Sequence, residues 1–178
     1  NKCDKYRLIS RKLVEAADIT TALQARTFRH NYPDLRMQES IVEGEVFIAL
    51  EGDKVGQINA LTQIDLGDHS FGMPLRLTAR TFAGEDGVLN ISREVDMTGP
   101  IHDKGMLILQ NYLTALFAHI APLALSASVV FEQEYSSIEG DSASCAEFYV
   151  LLSSLAEVPL KQGIAVTGAL NQYGEVLP

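Results

Sequence analysis

Over residues 6–43 the apolar positions recur at helical intervals, with Ile9, Leu13 and Ala16 followed by Leu23, Phe28, Met37 and Ile41 among charges. Pro33 disfavours helix at the residue before it and Asp34 can cap a helix after it, so Asn31-Tyr32-Pro33-Asp34 divides this stretch into two or three short helices. After Gly44 the period becomes two. Residues 45–50 and 55–61 flank a Glu51-Gly52-Asp53 turn and read as a hairpin. Leu75, Leu77, Ala79 and Thr81 alternate with Arg76, Thr78 and Arg80, and the turn at residues 84–87 leads to a further extended run over 88–95, expected to be antiparallel. Met106, Leu109, Leu113, Leu116 and Ile120 then return to helical spacing, predicting a helix over 103–119 with Asp103 as N-cap. Leu123, Leu125, Ala127, Val129 and Phe131 alternate as a strand, followed by a polar turn over 135–140 and an apolar helix over 142–155 that Val158-Pro159 ends. Residues 164–170 make another apolar strand, and 174–177 begin one more. The pattern predicts an α/β (α+β) fold in which helices pack on mixed, partly antiparallel sheets over 44–178, preceded by a helical segment over 1–43.

Composition narrows the class. A chain of 178 residues with 47% hydrophobic and 21% charged residues fits one globular domain with a full core and excludes two large ones. The net charge of −9 opposes binding to phosphate backbones and anionic lipid, which removes nucleic acid as a main partner. No apolar run approaches the roughly 20 residues that cross a bilayer, and Asn1-Lys2-Cys3-Asp4-Lys5 is too polar for a signal peptide, so no membrane partner and a cytoplasmic location are expected. Cys3 and Cys145 provide neither a disulfide framework nor a four-ligand zinc site, and reduced thiols are the expectation. An Asn start and a Val176-Leu177-Pro178 end with no polar tail read as the edges of a piece of something longer.

One stretch points to chemistry. Between Phe131 and Ser144 a strand ends, an acidic loop follows, and a helix begins at a serine. A hydroxyl there stands beside free backbone N–H groups, and the helix dipole favours the negative charge of a tetrahedral intermediate. Asp141 or Ser142 capping the helix is the competing structural role. Asp68-His69-Ser70 has the letters of a triad, but neighbours on an extended chain point to opposite faces and cannot converge. His30, His69, His102 and His119 lack the paired spacing of a metal site. Cys145 reads as a small core residue, Lys161 as a solvated charge, and Gly84-Glu85-Asp86-Gly87 as a turn without the lysine of a phosphate loop.

The segments FEQEYSSIEGDSASCAE and IAVTGALNQYGEVLP resemble the proteolytic domain of the Lon (protease La) family, in the variant whose serine lies in EGDSAS. Upstream, ALQARTFRHNY, GQINALTQIDLGDHSFGMP and NISREVDMTGPIHDKG are similar to the same variant, so the resemblance covers nearly the whole chain. It implies a Lon proteolytic-domain fold and a serine endopeptidase working through a Ser-Lys dyad, with Ser142 as nucleophile. The implied base is a lysine following a GEVLP-Ile/Val-Gly-Gly segment, a few residues past Pro178. It also implies that Thr167 supports that lysine and that Glu139, Gly140, Asp141 and Ala143 form the active-site loop and oxyanion region. The chain has no Walker A sequence and calls for no cofactor or metal of its own, while ATP and Mg are expected only for an upstream ATPase module, to which residues 1–43 would be the connector. Unfolded proteins or peptides are the implied substrates and a hexameric ring the implied assembly. A non-catalytic assembly or peptide-binding module that keeps this fold is the alternative.

Overall fold

A computed structural model describes residues 13–177 except 68, 85, 95, 120–123 and 136; Ile9, Ile120, Leu123, Cys3 and Asp68 of the patterns above lie outside the described residues. In chain order the elements are α1 (Ala16–His30), α2 (Tyr32–Val42), β1 (Asp53–Lys54), β2 (Gln57–Asp65), β3 (Ser70–Ala83), β4 (Gly87–Asn90), α3 (Ile91–Glu94), α4 (Pro100–Phe117), β5 (Leu125–Phe131), α5 (Ser144–Ala156), β6 (Leu160–Lys161), β7 (Ala165–Val166), β8 (Ala169–Leu170) and β9 (Val176–Leu177). Five strands form one sheet in the order β4-β5-β3-β2-β7, and β1 with β6 and β8 with β9 make two short pairs. The fold is mixed α/β, with antiparallel β2-β3 and β3-β5 ladders and parallel β4-β5 and β2-β7 ladders.

Strand β3 organises this sheet because its alternation is strict. Met73, Leu75, Leu77 and Ala79 are buried while Pro74, Arg76, Thr78 and Arg80 are not, so a single apolar face is available for covering. Ile58 and Ala60 of β2, with Ala127, Val129 and Phe131 of β5, extend that face. Met106, Leu109 and Leu113 of α4 and Ala146, Val150 and Leu151 of α5 complete the core, and α5 lies against β3 and β2.

Several local patterns resolve differently in the fold. The expected strand over 45–50 is absent, since side chains rather than a ladder take up its backbone groups. Phe47 N–H donates to Gln133 Oε1 (2.8 Å), Gln133 Nε2 to the Glu45 carbonyl (3.0 Å) and Asn59 Nδ2 to the Ala49 carbonyl (2.9 Å). The run over 88–95 is a strand only to Asn90 and then turns into α3; β4 is parallel to β5, because the chain between them passes through α3 and α4 and a helical crossover returns it in the same direction. Helix α4 starts earlier than predicted, with Gly99 as N-cap and Pro100 in the first turn, while Asp103 sits inside the helix and accepts from Thr98 Oγ1 at 2.6 Å. Asp34 likewise is inside α2, whose N-cap is Asn31. The strand expected over 164–170 is broken at Thr167-Gly168 into β7 and β8.

Gln162 holds the sheet margin together. It is fully buried, donates through Nε2 to the Gln57 and Leu160 carbonyls (both 2.9 Å), and accepts from Gln57 Nε2 at 2.8 Å. Gln162→Ala leaves these carbonyls without their donor, and we expect unfolding in urea to report a loss of about 2 kcal/mol. A midpoint unchanged from the parent chain would show that water replaces the amide at no cost.

Candidate active site

The loop that follows β5 is fixed to the start of α4 before it reaches Ser142. Ile138 N–H donates to the Met97 carbonyl (2.9 Å), and Gly99 N–H to the Ile138 carbonyl (2.8 Å). Glu139 Oε1 accepts from the Ile101 N–H at 3.2 Å, which places a carboxylate on the positive end of the α4 dipole. Gly140 then reverses the chain at φ +89°, a conformation that side-chain-bearing residues rarely adopt.

The two serines of the GDSAS motif have different environments. Ser144 is 1% exposed, and both its N–H and its Oγ donate to the Asp141 carbonyl, at 3.1 and 2.6 Å. Ser142 is exposed and lies two residues ahead of α5, which begins at Ser144 rather than at residue 142 as the pattern predicts. Ala143 occupies the N-cap position and no side chain caps the helix, so neither Asp141 nor Ser142 performs the capping role that competed with chemistry. The Ser142 carbonyl accepts from Gly168 N–H (2.6 Å) and from Thr167 Oγ1 (3.3 Å), and Cys145 N–H donates back to the Gly168 carbonyl (3.0 Å). This exchange explains the break between β7 and β8, because residues 167–168 spend their hydrogen bonds on the serine turn. Among the described residues, nothing accepts from the backbone N–H groups of residues 140–143.

The expected bystanders also have defined positions. His69 approaches Asp34 (3.4 Å) and stacks on Phe71, while Ser70 Oγ donates to Asp65, so these neighbours face different partners. Cys145 is a buried free cysteine whose thiol burial pushes up, which leaves it a poor nucleophile. Lys161 is exposed on β6, opposite Asp53. Beside the acidic loop, a cavity of about 290 Å³ has an apolar wall of Ile64, Met73, Leu75 and Ile138 and an acidic rim of Glu134 and Glu139. Among the described residues no group of three His, Cys, Asp or Glu side chains is arranged to hold a metal, and no helix is long and apolar enough to cross a membrane.

Sequence reasoning missed one polar pair near the loop. His102 and Glu147 are each 1% exposed, with Nε2 and Oε1 3.1 Å apart in an ionic contact that lacks hydrogen-bond alignment. Burial works to lower the imidazole pKa, but Glu147, with Asp103 and Glu139 behind it, outweighs burial and raises it above the ordinary value of 6.5. The available signal was Glu147 itself, a carboxylate inside the apolar run Cys145-Ala146-Glu147-Phe148, since a buried charge requires a partner.

No family model matches the chain. It is 40% identical over 158 residues to a Lon protease homolog of Escherichia coli (strain K12), an alignment spanning 88% of this chain and 27% of that protein. A Lon protease homolog of Haemophilus influenzae is 35% identical over 175 residues, 97% of this chain and 29% of its own length. An archaeal Lon protease of Thermococcus kodakarensis is 30% identical over 174 residues, 94% of this chain and 26% of its own length. The chain therefore spans between a quarter and a third of the length of these curated relatives.

Proposed function

The chain is a domain of the Lon protease family, and on that premise we propose that it holds the nucleophilic half of a serine endopeptidase site, completed by a lysine beyond Pro178. The observation that carries this reading is the state of Ser142: its side chain is exposed and caps nothing, while its carbonyl is held by Thr167 and Gly168. Such a hydroxyl is positioned without being consumed by structure.

In the proposed reaction the neutral lysine amine takes the Ser142 proton as Oγ attacks the scissile carbonyl. Negative charge gathers on the carbonyl oxygen, where the unengaged N–H groups of residues 140–143 and the N-terminus of α5 can receive it. The ammonium then protonates the leaving amine, the C–N bond breaks, and an ester on Ser142 remains. Water, deprotonated by the same lysine, hydrolyses that ester and restores the hydroxyl. Lysine can act in this way only if burial lowers its pKa, and Thr167 Oγ1 has lone pairs free to accept a hydrogen bond from the amine. Glu139 holds the loop onto α4 and takes no part in proton transfer in this scheme.

For the longer protein the proposal extends to unfolded polypeptide substrates, an ATP- and Mg-using module ahead of this chain connected through residues 1–43, and a six-membered ring. The test compares hydrolysis of an unstructured fluorogenic peptide by the 178-residue chain and by the same chain extended through the residues its gene encodes after Pro178. We expect the extended chain to cleave, with a rate that falls at low pH as the lysine becomes protonated, and the shorter chain to be nearly inert. An uncharged residue at the lysine position, or equal inactivity of both chains, would replace this reading with that of a non-catalytic module.

A further inference from the structure

Helices α4 and α5 meet near the serine turn through two rungs of contact. In the first, Gly105 of α4 lies so close to α5 that a Cβ there would stand 2.9 Å from Ser144 Oγ and 3.0 Å from Asp141 Cβ. In the second, His102 meets Glu147 at 3.1 Å. His102 and Gly105 are three residues apart on α4, as are Ser144 and Glu147 on α5, so each helix presents one face to the other. The 138–141 loop closes over this seam through Ile138 on Gly99 and Glu139 on Ile101. Phe131, at the end of β5, stands edge-on to the imidazole with ring centres 5.8 Å apart and covers the pair from the sheet side.

We infer that His102 and Glu147 are a positioning pair for Ser142, an ionic clamp between the first turns of α4 and α5 that holds the 138–144 loop in the conformation presenting the serine hydroxyl. The inference rests on the reading of Ser142 as nucleophile. General stability is a poor reason for such a pair, because desolvation takes back most of the attraction between two buried charges, and among the described residues His102 Nδ1 has no hydrogen-bond partner. What the clamp supplies is a defined register between two helices that apolar contacts alone would leave free to slide. The charged groups around the imidazole are Glu147 on α5, Asp103 on α4 and Glu139 on the loop, all carboxylates, and each favours the imidazolium. A histidine held above its ordinary value makes its full contribution below that value of 6.5 and loses it as pH rises through the raised one. The clamp is therefore closed below pH 6.5 and opens as pH rises through the raised value.

Amide hydrogen exchange across a pH series tests this on the 178-residue chain without any need for activity. The reporters are the N–H groups of Ser144, Cys145 and Gly168, which close the serine turn, read against Ala127 and Val129 in β5. After correction for intrinsic exchange, protection of the three turn amides should fall about tenfold as the His102 ring resonance titrates, with β5 unchanged. The double substitution His102→Gln with Glu147→Gln keeps size and removes both charges; it should show the lower protection at every pH and no pH step. In the extended chain the same variant should lose about tenfold in kcat at unchanged KM, the signature of a misplaced nucleophile. Turn amides that ignore the His102 titration, or a double variant as protected as the parent, would overturn the inference. Should the double variant fail to fold, the parent chain's pH series decides alone. An extended chain inactive in every form would remove the reading of Ser142 and leave the exchange result to judge the clamp.

Discussion

Ser142→Ala, made in the chain extended past Pro178, is expected to reduce peptide hydrolysis by about 10³-fold or more and to leave the unfolding midpoint within about 0.5 kcal/mol of the parent. The two halves of that expectation have separate causes. The side chain is exposed and does not cap α5, so removing its oxygen breaks no structural contact described above. The rate, in contrast, depends in the proposed reaction on a covalent ester that alanine cannot form, and the proposed general base has no function without its nucleophile. Initial rates and urea unfolding, measured on the same preparation, check both halves. Hydrolysis persisting in the variant would sink the assignment of Ser142, whereas inactivity accompanied by a large loss of stability would show Ser142 to be structural. Ser144→Ala is the informative contrast, since Ser144 is buried and donates to the Asp141 carbonyl.

Leu77→Ala is expected to destabilise the chain by about 3 kcal/mol, within the range of 2 to 5 that buried leucine truncations span. Leu77 has no exposed surface, sits opposite Ile58 of β2 and Phe131 of β5, and belongs to the face against which α5 packs. The neighbouring strands and α5 cannot collapse into the vacated volume without breaking the β3 ladders on both sides, so a cavity remains. That cost is a large share of the 5 to 15 kcal/mol typical of a domain. Because α5 leads directly out of the serine turn, the variant should also lose protection of the Ser144 and Cys145 amides. Urea titration measures the effect, and a loss below about 1 kcal/mol would mean that the core repacks around this position. Leu50→Ala, at an exposed site, should change stability by less than about 0.5 kcal/mol.

What the sequence determined by itself is the set of long, strongly periodic elements and the place of the candidate serine turn. Alternation from Leu75 to Ala79 and the spacing of Met106, Leu109 and Leu113 each demand one structure, because these apolar side chains fall on a single buried face of strand or helix. The GDSAS and VTG motifs likewise point to the serine turn, and the fold brings Thr167 to the Ser142 carbonyl. Tertiary structure decided everything whose hydrogen-bond partners are distant in the chain. Residues 45–50 alternate as a strand would, yet Gln133 and Asn59 side chains take the bonds a neighbouring strand would have made. Residues 164–170 read as one strand, yet Gly168 gives its N–H and carbonyl to the serine turn and splits it. Local pattern likewise could not distinguish Ser142 from Ser144, since the difference lies in which one the Asp141 carbonyl and the α4 surface enclose. The pairing of His102 with Glu147 was the least legible feature, because a buried charge announces that it needs a partner and only packing says which one.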